Sequence, residues 1–192
     1  AETIAQLKTD YQNRKTTFQQ QENAAIIELG NVRLTYYNDV MSRDDDRMAQ
    51  LSAKGVDVSG MQGVQAGAES NVIGPLQSAI NSQDANAVKQ QLHDKCLGNG
   101  APYSYHFFAK NDLEALKAIS AKVGASTGNA TIQQQLADVN AKLSVAADTL
   151  NAVGTNPYTS DQQNQVWDNL KAASQGLKTI IQELIKGQNS QG

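Results

Sequence analysis

Apolar residues recur along most of this chain at intervals of three and four positions, the repeat of an α-helix that buries one face. The longest such stripe runs from residue 3 to residue 53 and contains no proline. Its first half holds apolar residues spaced by three, four or seven positions: Ile4, Leu7, Tyr11, Phe18 and Ala25. A helix of this length is about 75 Å long and needs other helices along it. Because Arg14 and Gln21 also occupy stripe positions, we expect its first half to be only partly covered within one chain.

Shorter stripes follow, separated by glycine, proline and capping residues. Asn111, with Glu114 three positions later, matches a variant of the helix capping box, so one helix is predicted to begin there. The predicted helices cover residues 3–53, 60–81, 84–97, 111–123, 130–153 and 160–186, followed by a polar tail at 187–192. The sequence therefore predicts an all-α protein with one domain over residues 1–192. Its architecture is an elongated antiparallel bundle of about five or six helices, built on the long N-terminal helix.

A row of small residues runs beside the apolar stripe of the second predicted helix. Its members are Gly60, Gly63, Gly67, Ser70 and Gly74. Glycine weakens a helix by about 1 kcal/mol relative to alanine, so a repeated row calls for a compensating contact. One interpretation is an interface at which a neighbouring helix approaches closely, either in the same chain or in an assembly. The other interpretation is a flexible helix, and the sequence leaves both open.

The charge balance argues against nucleic acid as a partner. Lys and Arg number 16 and Asp and Glu 19, which gives a formal net charge of −3 with no basic stripe to neutralise phosphates. No run of about 18 apolar residues is present, so we expect no membrane span. Because the sequence begins with Ala instead of Met, we expect an exported, extracytoplasmic or secreted protein.

Reactive side chains are concentrated in residues 93–108. This stretch contains both histidines, the single cysteine and four of the ten aromatic residues of the chain. A catalytic pair of Cys96 with His93 or His106 is formally available. However, Cys96 continues the apolar stripe of Val88 and Leu92, and no oxyanion-hole motif accompanies it. We therefore expect that the protein is not an enzyme.

Metal or haem binding is the sharper alternative for the same stretch. His93, Cys96 and His106 offer nitrogen and sulfur ligands to a transition metal. A second tight ligand pair is missing, and the haem-attachment pattern Cys-x-x-Cys-His is absent. The favoured interpretation places Cys96 in the core and uses the aromatic residues to plug one end of the bundle. A disulfide from Cys96 to another chain is a further possibility, which a buried position would rule out.

The poverty of reactive groups and the under-covered first helix favour a non-catalytic function. We expect a structural or interaction protein that works through helix–helix packing, with itself or with another protein, and needs no cofactor. The small-residue row and the polar-interrupted half of the first helix are the expected contact surfaces.

Overall fold

The computed structural model describes residues 2–97 and 102–189 of the chain. Every regular element in these two ranges is a helix, which confirms the predicted all-α class. The α-helices are α1 (Glu2–Ala53), α2 (Ser59–Ala68), α3 (Gly74–Asn81), α4 (Ala85–Gln91), α5 (Pro102–Ala125), α6 (Ala130–Val153) and α7 (Ser160–Asn189). Two π-helical segments, Glu69–Ile73 and Leu92–Leu97, follow α2 and α4.

The first half of the chain forms a core against the C-terminal half of α1. We call it the first core. Its large buried side chains include Leu34 and Tyr37 of α1, Leu76, Val88 and Phe107. All of these side chains are less than 9 % exposed. The helices α2, α3 and α4 thereby cover α1 from about residue 30 onwards, together with the start of α5.

The second half of the chain forms its own core between α5, α6 and α7. Its buried residues include Leu113, Leu143 and Val166, and none of its described buried members comes from α1. The amide of Gln135 donates to Glu183 at 3.2 Å, while Val139 lies opposite Gly176. These contacts show that α6 and α7 run antiparallel, as the matching stripes predict. Helix α5 contributes to both cores and therefore joins the part of the bundle that packs on α1 to the part formed with α6 and α7.

Gly30 allows the closest approach to α1. A Cβ atom at this position would lie 2.7 Å from Cγ1 of Val88 and 3.3 Å from the side chain of Ile80. Both neighbours are buried in the first core, so neither has space to retreat. The packing of α3 and α4 on α1 therefore depends on the missing side chain of Gly30.

A π-helical turn lies directly before Gly74 and Pro75. The N–H of Gly74 donates to the carbonyl of Glu69, five residues back, and Pro75 has no N–H to donate. The extra residue in this turn places two consecutive side chains, Val72 and Ile73, in the core. The helix continues past the proline without losing its buried face.

The predicted start of the fourth helix at Asn111 is wrong. Helix α5 begins at Pro102. Proline suits the first helical turn because the N–H group that it lacks would have no partner within the helix at that position. Tyr103 and Phe107, four residues apart, then point into the first core. Asn111 is only 3 % exposed and lies beside Asp44 of α1, inside α5 and not at its start. The capping pattern of residues 111–114 is therefore coincidental.

Substitution of two glycines by alanine should have opposite effects. Gly30→Ala forces a Cβ against Val88 and should lower the free energy of unfolding by about 1–3 kcal/mol. Gly63→Ala meets nothing within 4 Å and should raise it by about 0.5–1 kcal/mol, because alanine favours the helix. Urea denaturation measures both. Equal destabilisation of the two variants would contradict the packing described here.

Candidate interaction surface

The N-terminal part of α1 has no cover. Every residue from 3 to 25 is exposed, and we call this range the bare segment. Its large apolar side chains are Ile4 at 74 %, Leu7 at 65 %, Tyr11 at 64 % and Phe18 at 65 % exposure. The bare segment is about 35 Å long. This confirms the expectation that the first half of α1 is under-covered, and it presents an apolar stripe of the kind that marks a contact surface.

The stripe continues from the bare segment along the covered half of α1. Leu29, Val32 and Tyr36 are 46 %, 62 % and 40 % exposed. Leu29 and Val32 lie on the side of α1 that faces away from the first core, while Leu34 and Tyr37 face into it. The ring of Tyr36 lies at the edge of that core, edge-to-face with Phe108. An approaching helix can therefore follow one apolar face from the tip of α1 to the body of the protein.

The charges of the bare segment are mixed in sign. Lys8, Arg14 and Lys15 stand against Asp10 and Glu22, and no salt bridge between described residues involves them. Three of the four threonine hydroxyls are already paired, since those of residues 9, 16 and 17 each donate to a backbone carbonyl of the same helix at 3.0 Å. Mixed charges beside an apolar stripe are typical of a helix that contacts another helix.

The row of small residues in α2 lines a groove against α5. A Cβ on Gly60 would lie 2.8 Å from Oε2 of Glu114, whereas one on Gly63 or Gly67 would meet nothing within 4 Å. The other two members do not line this groove, since Ser70 lies in the π-helical segment Glu69–Ile73 and Gly74 is the first residue of α3. We call this space of about 270 Å³ the glycine groove.

His106 forms part of the groove wall, and its tautomer follows from its neighbours. The hydroxyl of Tyr158 donates to the carbonyl of Gly154 at 2.8 Å, so its single hydrogen is used. Nδ1 of His106, 2.8 Å from the same hydroxyl, must then be the donor in that contact. The neutral ring keeps its proton on Nδ1 and leaves Nε2 as the accepting nitrogen.

The surroundings of His106 favour the neutral ring. Burial lowers the pKa of its imidazole below the ordinary 6.5, and the ammonium of Lys110 adds to the effect. Burial also raises the pKa of Tyr158 to about 12, so its hydroxyl stays protonated. Sequence reasoning missed Tyr158, which lies 52 positions from His106 in the chain. No local pattern connects two residues that far apart.

The three residues of the metal alternative have different environments. His93 has a side chain 79 % exposed and bonds Asp94 at 2.9 Å. Cys96 is fully buried in the first core, and His106 bonds Tyr158. Within residues 2–97 and 102–189, no group of three or more His, Cys, Asp and Glu side chains is arranged to hold a metal ion.

Cys96 lies beside a buried polar network that joins α1 to the start of α5. Arg33 donates to the Cys96 carbonyl at 3.1 Å and to the Ser104 hydroxyl at 3.2 Å, and Ser104 also bonds Tyr37 at 2.5 Å. Burial raises the pKa of the Cys96 thiol, which disfavours the reactive thiolate. The buried position also rules out the disulfide to another chain that the sequence left open.

Comparison of the chain with protein-family models, with curated proteins and with solved structures finds no match. No helix among the described residues combines the length and the apolar character that crossing a membrane requires. Functional inference therefore depends on the surfaces described above.

The pKa of His106 predicts a dependence of stability on pH. Because the folded-state pKa lies below that of the unfolded chain, the unfolded chain binds a proton first as the pH falls below about 6.5. The free energy of unfolding should therefore decrease from about pH 6.5 downwards, until the folded-state pKa is passed. Urea denaturation across this range measures the decrease, which should be smaller in His106→Gln.

The exposed His93 provides the matched control. His93→Gln removes a histidine whose side chain is 79 % exposed, so it separates the loss of a buried ring from the loss of any histidine. If His106→Gln and the wild-type chain lose stability in parallel as the pH falls, the environment assigned to His106 is wrong.

Proposed function

We propose that this protein is a non-catalytic interaction protein that associates through the bare segment of α1, packed against a helix of another copy or of a partner. The observation that carries the proposal is the uncovered apolar stripe of Ile4, Leu7, Tyr11 and Phe18. Most helical stability in proteins comes from packing of an apolar face, and this face lacks a neighbour among the described residues. Covering it removes apolar surface from water, which is the main favourable term in association.

The length of the bare segment also supports association. Its 23 exposed residues, counted from residue 3 to residue 25, form more than six helical turns. The body of the protein does not need them for its cores, since the first core begins with Ile26 and Ile27 at its edge. A helix of this length that is not needed for internal packing is suited to an intermolecular contact.

The condition of the reactive groups supports a non-catalytic role. The Cys96 thiol is buried with a raised pKa, and Nδ1 of His106 is engaged by Tyr158. The remaining polar network around Arg33 connects α1 to α5 and has a structural use. A structural role outside the cell, where helices of several copies assemble, is part of the same proposal.

Phe18→Lys tests this function. It should weaken self-association at least about tenfold, because each copy would lose a buried aromatic side chain and gain a charge in the contact. Gln20→Lys adds the same charge on the opposite side of the helix and should change the dissociation constant less than about twofold. Sedimentation velocity over a concentration series measures both.

Amide hydrogen exchange provides the second readout. Residues 3–25 should become more protected as the concentration of the full chain rises, while the two cores stay unchanged. A chain that remains monomeric up to about 1 mM, with fast exchange in residues 3–25 throughout, would overturn association with another copy and leave only a helix of a different partner as the contact.

A further inference from the structure

One heptad seam runs through the bare segment and continues to Val32. Five exposed apolar residues recur along it every seven positions: Ile4, Tyr11, Phe18, Ala25 and Val32. The intermediate seam positions are occupied by Leu7, Arg14, Gln21 and Glu28. In coiled-coil terms the first set takes the a positions and the second the d positions. The a positions are entirely apolar and the d positions become polar after Leu7, so the partner must accommodate Arg14 and Gln21.

A parallel pair of identical segments places like residues opposite each other. Asp10 and Lys15 would attract across such a pair, since they occupy g and e positions five residues apart. However, Arg14 of one copy would face Arg14 of the other inside the seam. Two guanidinium groups that lose water without an acidic partner repel each other strongly. This arrangement is therefore unfavourable at its centre.

An antiparallel pair places a residues opposite d residues. With the two-fold axis beside Thr16, Arg14 faces Phe18 of the second copy, and symmetry repeats the contact. A guanidinium over an aromatic ring is an attractive pairing. In the same register Gln21 faces Tyr11 of the second copy, and Leu7 faces Ala25. Of the three polar d residues, Arg14 and Gln21 thus meet an aromatic side chain, and Glu28 faces Ile4 at the end of the shared segment.

Charges beside the seam select this register. Lys15 and Glu22 occupy e positions, and side chains lean towards the N-terminus of their own helix, so these two converge across the antiparallel pair. Symmetry again gives the contact twice. A shift by one heptad brings Lys15 against Lys15 in one direction and Glu22 against Glu22 in the other. In the first of these shifts Lys8, also at an e position, meets Glu22, but the like-charge contact of Lys15 remains. The register centred beside Thr16 is therefore the one of the three without a like-charge contact between e positions.

The position of the body allows this arrangement. The cover of α1 begins near Ile26 and Ile27, which are half-buried. Antiparallel pairing places the two bodies at opposite ends of the shared segment, where they do not compete for space. We propose that two copies of this chain associate through a two-fold symmetric, antiparallel coiled coil of their bare segments, centred beside Thr16. This inference rests on the proposed function and names its partner, a second copy, and its geometry.

Disulfide trapping tests the direction and the register. Leu7→Cys and Ala25→Cys are prepared as separate variants of the full chain, mixed under reducing conditions and then oxidised. The mixture should give disulfide-linked dimers joining residues 7 and 25, identified by peptide mass. Each variant alone should give none, because its new thiol faces Ala25 or Leu7 of the other copy. Cys96 stays in place in all variants because it is fully buried, and the wild-type chain is the background control.

A mixture of Gln12→Cys and Gln20→Cys is the matched control, because these residues have the same centre but lie on the outer side of the helix. It should not crosslink. Efficient disulfides in Leu7→Cys alone and Ala25→Cys alone indicate a parallel pair, which overturns the inference and leaves the proposed function standing. Absence of crosslinks from the 7 and 25 mixture overturns the inference as well, and the sedimentation series then decides separately whether the bare segment associates.

Charge reversal gives an independent readout of the register. Lys15→Glu should weaken the dimer about fivefold or more at low salt, since both attractive contacts become repulsive. The double variant Lys15→Glu with Glu22→Lys should restore the wild-type dissociation constant within about twofold. A double variant weaker than the single one would show that Lys15 and Glu22 do not face each other.

Discussion

The mismatch between the length of α1 and the length of its cover governs this structure. Helix α1 has 52 residues, but the helices that pack on it reach only its C-terminal half. A continuous helix without proline cannot fold back to hide its apolar stripe, because its backbone hydrogen bonds keep it straight. The uncovered stripe is therefore a direct consequence of the internal architecture, and it is the surface on which the proposed association rests.

The body that holds α1 depends on close contact at a few positions. Gly30 lets α3 and α4 approach α1, and the network of Arg33, Tyr37 and Ser104 fastens the start of α5 beside them. Helix α5 then passes from the first core into the second, where α6 and α7 complete it. The bare segment extends from this body as part of one continuous helix, and the proposed pairing uses it in that form.

The same packing explains the state of the cysteine and histidine side chains described between residues 93 and 106. Burial withdraws the Cys96 thiol from solvent and favours the neutral form of His106, while Tyr158 engages the ring. Side chains that look reactive together in the sequence therefore have different neighbours in the fold: Asp94 for His93, the first core for Cys96 and Tyr158 for His106. The glycine groove of α2 remains beside them as open space against α5.

The sequence alone determined the helices whose apolar stripes are long, because the periodicity of a stripe is a property of the helix itself. Helices α1, α6 and α7 match their predicted ranges closely. The exposure of the first half of α1 was also predictable. Tertiary structure decided what depends on neighbours. Gly30 and Gly63 are both glycines inside predicted helices, and the sequence does not distinguish them. Of the two, only Gly30 lies against side chains of other helices. The start of α5 was misplaced because a local capping pattern competes with burial of Tyr103 and Phe107, and burial against distant helices prevails.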